Sequence, residues 1–296
     1  MFKNNRNLFI IALIAIVNAL GYGIIIPILY PYSIKFGLTD FQNGLLFATF
    51  SLCQFIATPV IGRLSDKYGR KPLLIGSIAG TALSFIMMAF APNAIVLFLA
   101  RALDGITAGN IPVASAVITD TTEPKDRAKG FGIIGASFGF GFIFGPAISA
   151  FTVGIHESIP FLIAAAVSII AVIMTALFLP ETNKHMGEMS HDSLFHWGKL
   201  FHALTNRTVG ATLLLTLLYF TAFSMYIYMF QSASVNIYHM TANQISLVFT
   251  VFGVLGLISQ LFTLGLATKT FGVKATFKTA LLWVSLVFTL MYFTNS

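Results

Sequence analysis

The sequence predicts an all-α fold, a polytopic transmembrane helix bundle, and three observations carry that expectation. Of 296 residues 57% are hydrophobic and 9% charged, with a mean hydropathy of +0.86. Apolar runs of about 20 residues, the length a helix needs to cross roughly 30 Å of hydrocarbon, recur at short intervals. The basic residues fall in alternate connections: Lys3, Arg6, Arg63, Lys67, Arg70, Lys71, Lys125, Arg127, Lys129, Lys184, Lys199, Arg207, Lys269, Lys274 and Lys278 share one side, against Lys35 on the other. By the positive-inside rule that side, and with it the N-terminus, is cytoplasmic, in a cell membrane. The formal charge of +7 therefore reports topology and does not point to nucleic acid.

Nine spans are expected, at 8–29, 44–61, 73–91, 94–118, 130–153, 159–179, 209–235, 245–267 and 275–293. The first is full length and ends at Pro27 and Pro31, which reads as a retained helix and not a cleaved leader. Asn18 and Tyr22 lie four apart on it. Because a buried amide needs a polar partner, this pair is a candidate pocket lining. Gln54, on the second span, and Gln260, on the eighth, raise the same question more faintly. The single cysteine, Cys53, rules out a disulfide within the monomer and a thiolate metal site.

The fourth span carries Arg101 and Asp104, the only acid and base placed well inside the predicted hydrocarbon. Each costs roughly 2.5 to 3.5 kcal/mol at mid-membrane, so neither should face lipid. At a 1.5 Å rise they sit about 10 and 15 Å deep, and their i, i+3 spacing puts them on one face, where each offsets the other's charge. Two readings stand: a cavity-lining pair in which Asp104 exchanges a proton or binds a cation, tuned by Arg101, or a neutralised pair that locks the span to a neighbour.

The fifth span is dense in small residues: Gly132, Gly135, Gly139, Gly141 and Gly145, followed by Pro146. The pairs Gly135/Gly139 and Gly141/Gly145 are each four apart, so a neighbouring helix can approach the backbone. Pro146 removes one backbone bond and favours a bend. After the sixth span, residues 181–208 form the longest cytoplasmic connection, between an N-terminal six-helix bundle at 1–180 and a partial, three-helix bundle at 209–296. Leu194, Trp197, Phe201 and Leu204 share one face there, which suits a helix in the membrane interface. His185, His191, His196 and His202 lie in the same connection, but at spacings that place no two on one helical turn, so they read as solvated residues and no metal site is expected. On the seventh span Tyr226 and Gln231 could line a pocket, while most of its aromatic residues would meet lipid or a neighbour.

Comparison of the chain with itself gives an internal correspondence. At an offset of 203 residues, Gly62, Tyr68, Gly69 and Lys71 fall on Gly265, Phe271, Gly272 and Lys274, so the last three spans look like a copy of the first three. The copy stops where its fourth span should begin. The expectation is therefore a chain truncated after its ninth helix, which a complementing chain supplying helices 10 to 12 could complete.

Between the second and third spans lies GRLSDKYGRK, residues 62–71. Gly62 and Gly69 permit a tight path, Arg70 and Lys71 hold it near lipid phosphates, and Asp66 is the odd acid among bases. This stretch resembles the loop 2-3 signature of the major facilitator superfamily, G-x-L-x-D-R-x-G-R-K, with Lys67 in place of an arginine. RALDGITAG at 101–109 is similar to that superfamily's helix 4 motif. Gly132, Gly141, Gly145 and Pro146 reproduce the spacing of its helix 5 antiporter motif, whose closing glycines are Ser149 and Ala150 here. Together with LGYGIIIPILYP at 20–31, these look most like the drug:H+ antiporters of the tetracycline-resistance-like branch.

The resemblance implies a secondary transporter that exports small hydrophobic compounds in exchange for protons, with Arg101 and Asp104 near the proton path. It also implies that Asp66 is a conformational latch facing the N-terminal end of helix 11; local pairing with Arg70 is the other reading. Asn18 stands where an acid is expected in tetracycline exporters, and spans seven to nine carry no carboxylate. Proton-coupled uptake uses the same fold and is the alternative, as is a truncated remnant without transport. No nucleophile, phosphate loop or metal-ligand spacing points to an enzyme, and no cofactor is expected.

Overall fold

The structure is a computed structural model that describes residues 2–183, 187, 197–206 and 209–294. Among these residues every regular element is helical: α1 (Phe2–Ile34), α2 (Asp40–Tyr68), α3 (Arg70–Ala89), α4 (Ala94–Thr107), α5 (Asn110–Thr121), α6 (Arg127–Thr152), α7 (Ile159–Phe178), α8 (Trp197–Thr205), α9 (Gly210–Asn236), α10 (Ala242–Ile258), a π-helical turn (Ser259–Thr263), α11 (Leu264–Phe271) and α12 (Val273–Thr294). Eight stretches of the described residues are helical, long and apolar enough to cross a membrane. The segment expected as the ninth span lies within α12.

Local chemistry sets the ends. Thr39 and Gln42 form a reciprocal capping box at the start of α2, and the Asn93 side chain accepts from Val96 N at 3.1 Å to start α4. The first span runs further than its prolines suggested, through Pro27 and Pro31 to Ile34. The fourth, expected as one helix, is broken between Thr107 and Asn110. Pro112 has no N–H to give to the carbonyl of Ala108, so the backbone turns there instead.

The chain forms two compact units, Met1–Thr250 and Val251–Ser296. In the first, α1 is the central element: its span is 67% buried, against 11% for α2. It packs along α6 and α7, while α2 lies on α4 and α3 lies on α7. Two apolar clusters stack along α1. One centres on Ile10, Ile14, Ile78 and Val117, the other on Ile28, Leu46, Phe85 and Phe161. A third, Ile26, Ile245 and Phe249, ties α1 to α10. In the second unit α11 packs against α12.

In the long connection α8 covers Trp197 to Thr205 with Phe201 exposed. Leu194 and the histidines at 185, 191 and 196 lie outside the described residues.

Candidate functional site

Arg101 and Asp104 project from the same face of α4 and are 3% and 5% exposed. Arg101 Nη1 donates to Asp104 Oδ2 at 2.9 Å, and the guanidinium carbon lies 4.4 Å from the centre of the Phe50 ring on α2. The helices come this close because residue 105 is glycine: a Cβ there would overlap the backbone carbonyl oxygen of Phe50. On the α3 side, the hydroxyls of Thr81 and Thr107 meet at 3.2 Å, which fixes α4 next to Asp104. The cost of burying two charges is met here by pairing and by an aromatic face.

The pair adjoins two chambers that share a wall. One, of about 340 Å³, is lined by Arg101 with Ile26, Gly44, Phe47 and Tyr228. The other, of about 450 Å³, is lined by Asp104 with Asn18, Gln54, Phe138 and Phe142. Tyr22, Phe50 and Phe223 line both. Arg101 lines one chamber and Asp104 the other, and among the residues common to both the Tyr22 and Phe50 rings lie 6.3 Å apart. Most of the remaining lining is apolar, with few polar groups at defined places, the usual composition of a small-molecule site.

The residues singled out from sequence are therefore divided between adjoining chambers: Asp104, Asn18 and Gln54 line the larger, Arg101 the smaller, and Tyr22 both. Asn18 has its amide satisfied within its own helix, donating to Ile14 O at 2.7 Å. Three others lie elsewhere. Tyr226 pairs with Phe230 at 6.1 Å. Gln231 is fully buried, donates to Ile227 O at 3.5 Å and leaves its Oε1 without a partner. Gln260 is exposed within the π-helical turn.

The glycines of α6 separate into two groups. At Gly141 a Cβ would overlap the backbone and side chain of Ala19, at Gly145 it would lie 2.7 Å from Gly23 Cα, and at Gly23 it would overlap the carbonyl of Gly141. This is the seam on which α1 and α6 meet. Ser149 extends it, donating to Ile24 O at 3.0 Å. Gly132 and Gly135 instead face open space, so close approach does not require a glycine at either. Pro146 sits inside α6, which continues past it to Thr152.

At the far end of α2, Asp66 pairs with Arg70 at 2.6 Å. Arg70 also reaches Asp120 Oδ2 at 3.2 Å and Ser65 Oγ at 2.6 Å, and Ser65 Oγ donates to Gly62 O at 2.6 Å. Glu181, just beyond α7, accepts from the backbone N–H groups of Arg70 at 2.9 Å and Lys71 at 3.1 Å, the first turn of α3, and from Thr182 and Asn183, both at 2.8 Å. Burial pushes this carboxyl up, but the four backbone donors outweigh it and hold Glu181 below the ordinary carboxylate range. Gly69 has φ +102° at the junction, and a Cβ on it would overlap the Glu181 carboxylate. Glycine is required there twice over.

Sequence reasoning missed Phe50, Glu181 and a polar cluster around Asp40. Tyr30 on α1 donates to Asp40 Oδ1, and Asn236 on α9 donates to Asp40 at 3.2 Å and to Tyr30 Oη at 2.9 Å. Ser232 reaches the other carboxylate oxygen at 3.5 Å, and Tyr228 donates to the Asp40 carbonyl. One signal for it was in the sequence: Asp40 directly follows a capping threonine, the place where an acid complements a helix N-terminus. That its carboxylate would collect donors from α9 was not legible.

The sequence profile of the Major Facilitator Superfamily matches residues 11–294. The chain belongs to that superfamily. Among curated major facilitator relatives it is 30% identical over 281 residues to the class C tetracycline resistance protein of Escherichia coli, covering 92% of this chain and 70% of that protein. It is 37% identical over 183 residues to the class H tetracycline resistance protein of Pasteurella multocida, covering 61% of this chain and 46% of the other. The quinolone resistance protein NorA of Staphylococcus aureus is 34% identical over 181 residues, 61% of this chain and 47% of NorA. The chain thus spans about half the length of the last two. The major facilitator fold is also evident in a bacterial homologue of the human lysosomal transporter Spinster, with a TM-score of 0.69 at 20% identity over 90% of this chain and 63% of that one.

Proposed function

We propose that this multi-pass major facilitator protein exports a small hydrophobic compound from the cytoplasm in exchange for protons, by alternating access. The observation that carries the reading is the buried Arg101–Asp104 pair beside two adjoining chambers rich in aromatic residues. An ion pair is net neutral, so its burial is tolerable; once Asp104 takes a proton, Arg101 is left as an uncompensated buried cation. That difference is large enough to favour one arrangement of the surrounding helices over another, which is what coupling requires. The apolar and aromatic lining suits a lipophilic solute, and the tetracycline and quinolone resistance relatives support export. The distribution of basic residues supports a cytoplasmic N-terminus in the cell membrane. The glycine seam between α1 and α6 and the Asp66 loop belong to the same reading, as the surfaces along which the bundle moves and is held.

The test is export of the lipophilic dye Hoechst 33342 in energised membrane vesicles that carry the full chain. Uptake into inverted vesicles should follow an imposed pH gradient, and Asp104→Asn should abolish the gradient dependence. Dye accumulation that persists unchanged in Asp104→Asn would remove the proton role from this residue.

A further inference from the structure

We propose that Phe50 is a positioning residue: its ring, which lines both chambers, holds the Arg101 guanidinium against Asp104. Three observations converge on it. First, the arginine is under-held by hydrogen bonds. Of its five N–H donors, Nη1 is taken by Asp104, while Nε is buried without a partner. Arg101 also lines a chamber of about 340 Å³ into which so long a side chain could swing. What covers the planar face of the cation is the Phe50 ring, at 4.4 Å, and a desolvated guanidinium on an aromatic face is the stronger form of this contact.

Second, the ring's own position is set by the backbone. Gly105 lets α4 press on the Phe50 carbonyl, so the ring rides at a fixed height over the residues of the same α4 face. Glycine and arginine four residues apart on α4 thus meet one residue of α2: one admits its backbone and the other receives its ring. Third, Phe50 lines both chambers together with Tyr22 and Phe223. A solute that enters either chamber meets the ring that orders the charged pair. The groups around the ion pair are otherwise neutral: Ser84, which hydrogen-bonds Asp104, and Thr81 from α3, Tyr22 from α1, and Phe223 and Ser224 from α9.

The functional consequence rests on the transport reading above; the placement of Arg101 does not, and the experiment separates the two. In the purified full chain in lipid nanodiscs, the Nε–H signal of Arg101 is identified by nuclear magnetic resonance from its loss in Arg101→Lys. It should lie upfield of the other arginine signals, as a proton over a ring face does. Phe50→Leu should return it to their range, and Phe50→Tyr should keep it upfield. In vesicles, Phe50→Leu should lower pH-driven Hoechst 33342 transport about tenfold, the loss that a desolvated cation–π contact can supply, and alter its pH profile. Phe50→Tyr should restore both. A wild-type Arg101 signal among those of the other arginines overturns the proposal, as does a Phe50→Leu chain with wild-type rate and pH profile. If the wild-type chain moves no dye, the export reading fails, and the Arg101 signal still decides where the guanidinium is held.

Discussion

At the scale of single residues, the positions with most consequence are those where a side chain meets backbone. Glu181 is one. Its carboxylate takes the N–H groups that open α3, which no earlier residue of that helix can satisfy. Because folding holds this carboxyl below the ordinary carboxylate range, its contribution to stability is complete above that ordinary value. It is lost as the pH falls through the depressed one. Glu181→Gln should therefore lower the thermal midpoint at neutral pH and flatten its decline between the ordinary range and more acidic conditions, measured by scanning fluorimetry in detergent. An unchanged acid limb would mean that the backbone donors do not favour the charged form. Position 69 illustrates the same point from the other side. From sequence, Gly69 read as a turn residue; the structure adds that the space where its side chain would be is filled by a carboxylate from the end of α7.

At the scale of elements, the contact between α1 and α6 is the most extensive helix pair among the described residues, and it depends on very few atoms. Gly141, Gly145 and Gly23 let the two backbones touch. Gly132 and Gly135, identical in sequence terms, face open space. Gly141→Ala should destabilise the bundle by about 1 to 3 kcal/mol, the range for overpacking a close contact, whereas Gly132→Ala should cost nothing measurable or add slightly to helix stability. Thermal unfolding in one detergent compares them directly. Equal losses in both variants would contradict the seam. The internal correspondence between the first and last three spans also gains support at this scale. Gly69 and Gly272 share the same backbone conformation, φ +102° and ψ 156° against φ +79° and ψ 159°. Their N–H groups bond Ser65 O and Thr268 O, which are themselves related by the offset of 203.

For the molecule as a whole, the Asp40 cluster is the polar tie by which α9 meets α1 and α2. In one compact unit, Met1–Thr250, it joins helices from the first and seventh spans at the end opposite the Asp66 loop. Asp40→Ala removes the common acceptor of Tyr30, Ser232 and Asn236. It should raise the rate at which a membrane-impermeant maleimide labels a cysteine placed at Ser51, in a chain whose Cys53 is replaced by serine, from the Asp40 side only. Equal labelling in wild type and variant would show that the cluster does not restrict access to the cavity. Hydropathy, charge placement and i, i+3 spacing are local properties of the chain, and they were enough for the helical class, the approximate places of most spans, the family, and the pairing of Arg101 with Asp104. Only the tertiary structure decided which glycines carry a helix contact, that Phe50 covers the arginine, that Glu181 closes the loop after α2, and that Asp40 gathers donors from α9. Each of these depends on atoms far apart in sequence, whose meeting is fixed by how the helices pack and leaves no periodic trace in any one of them.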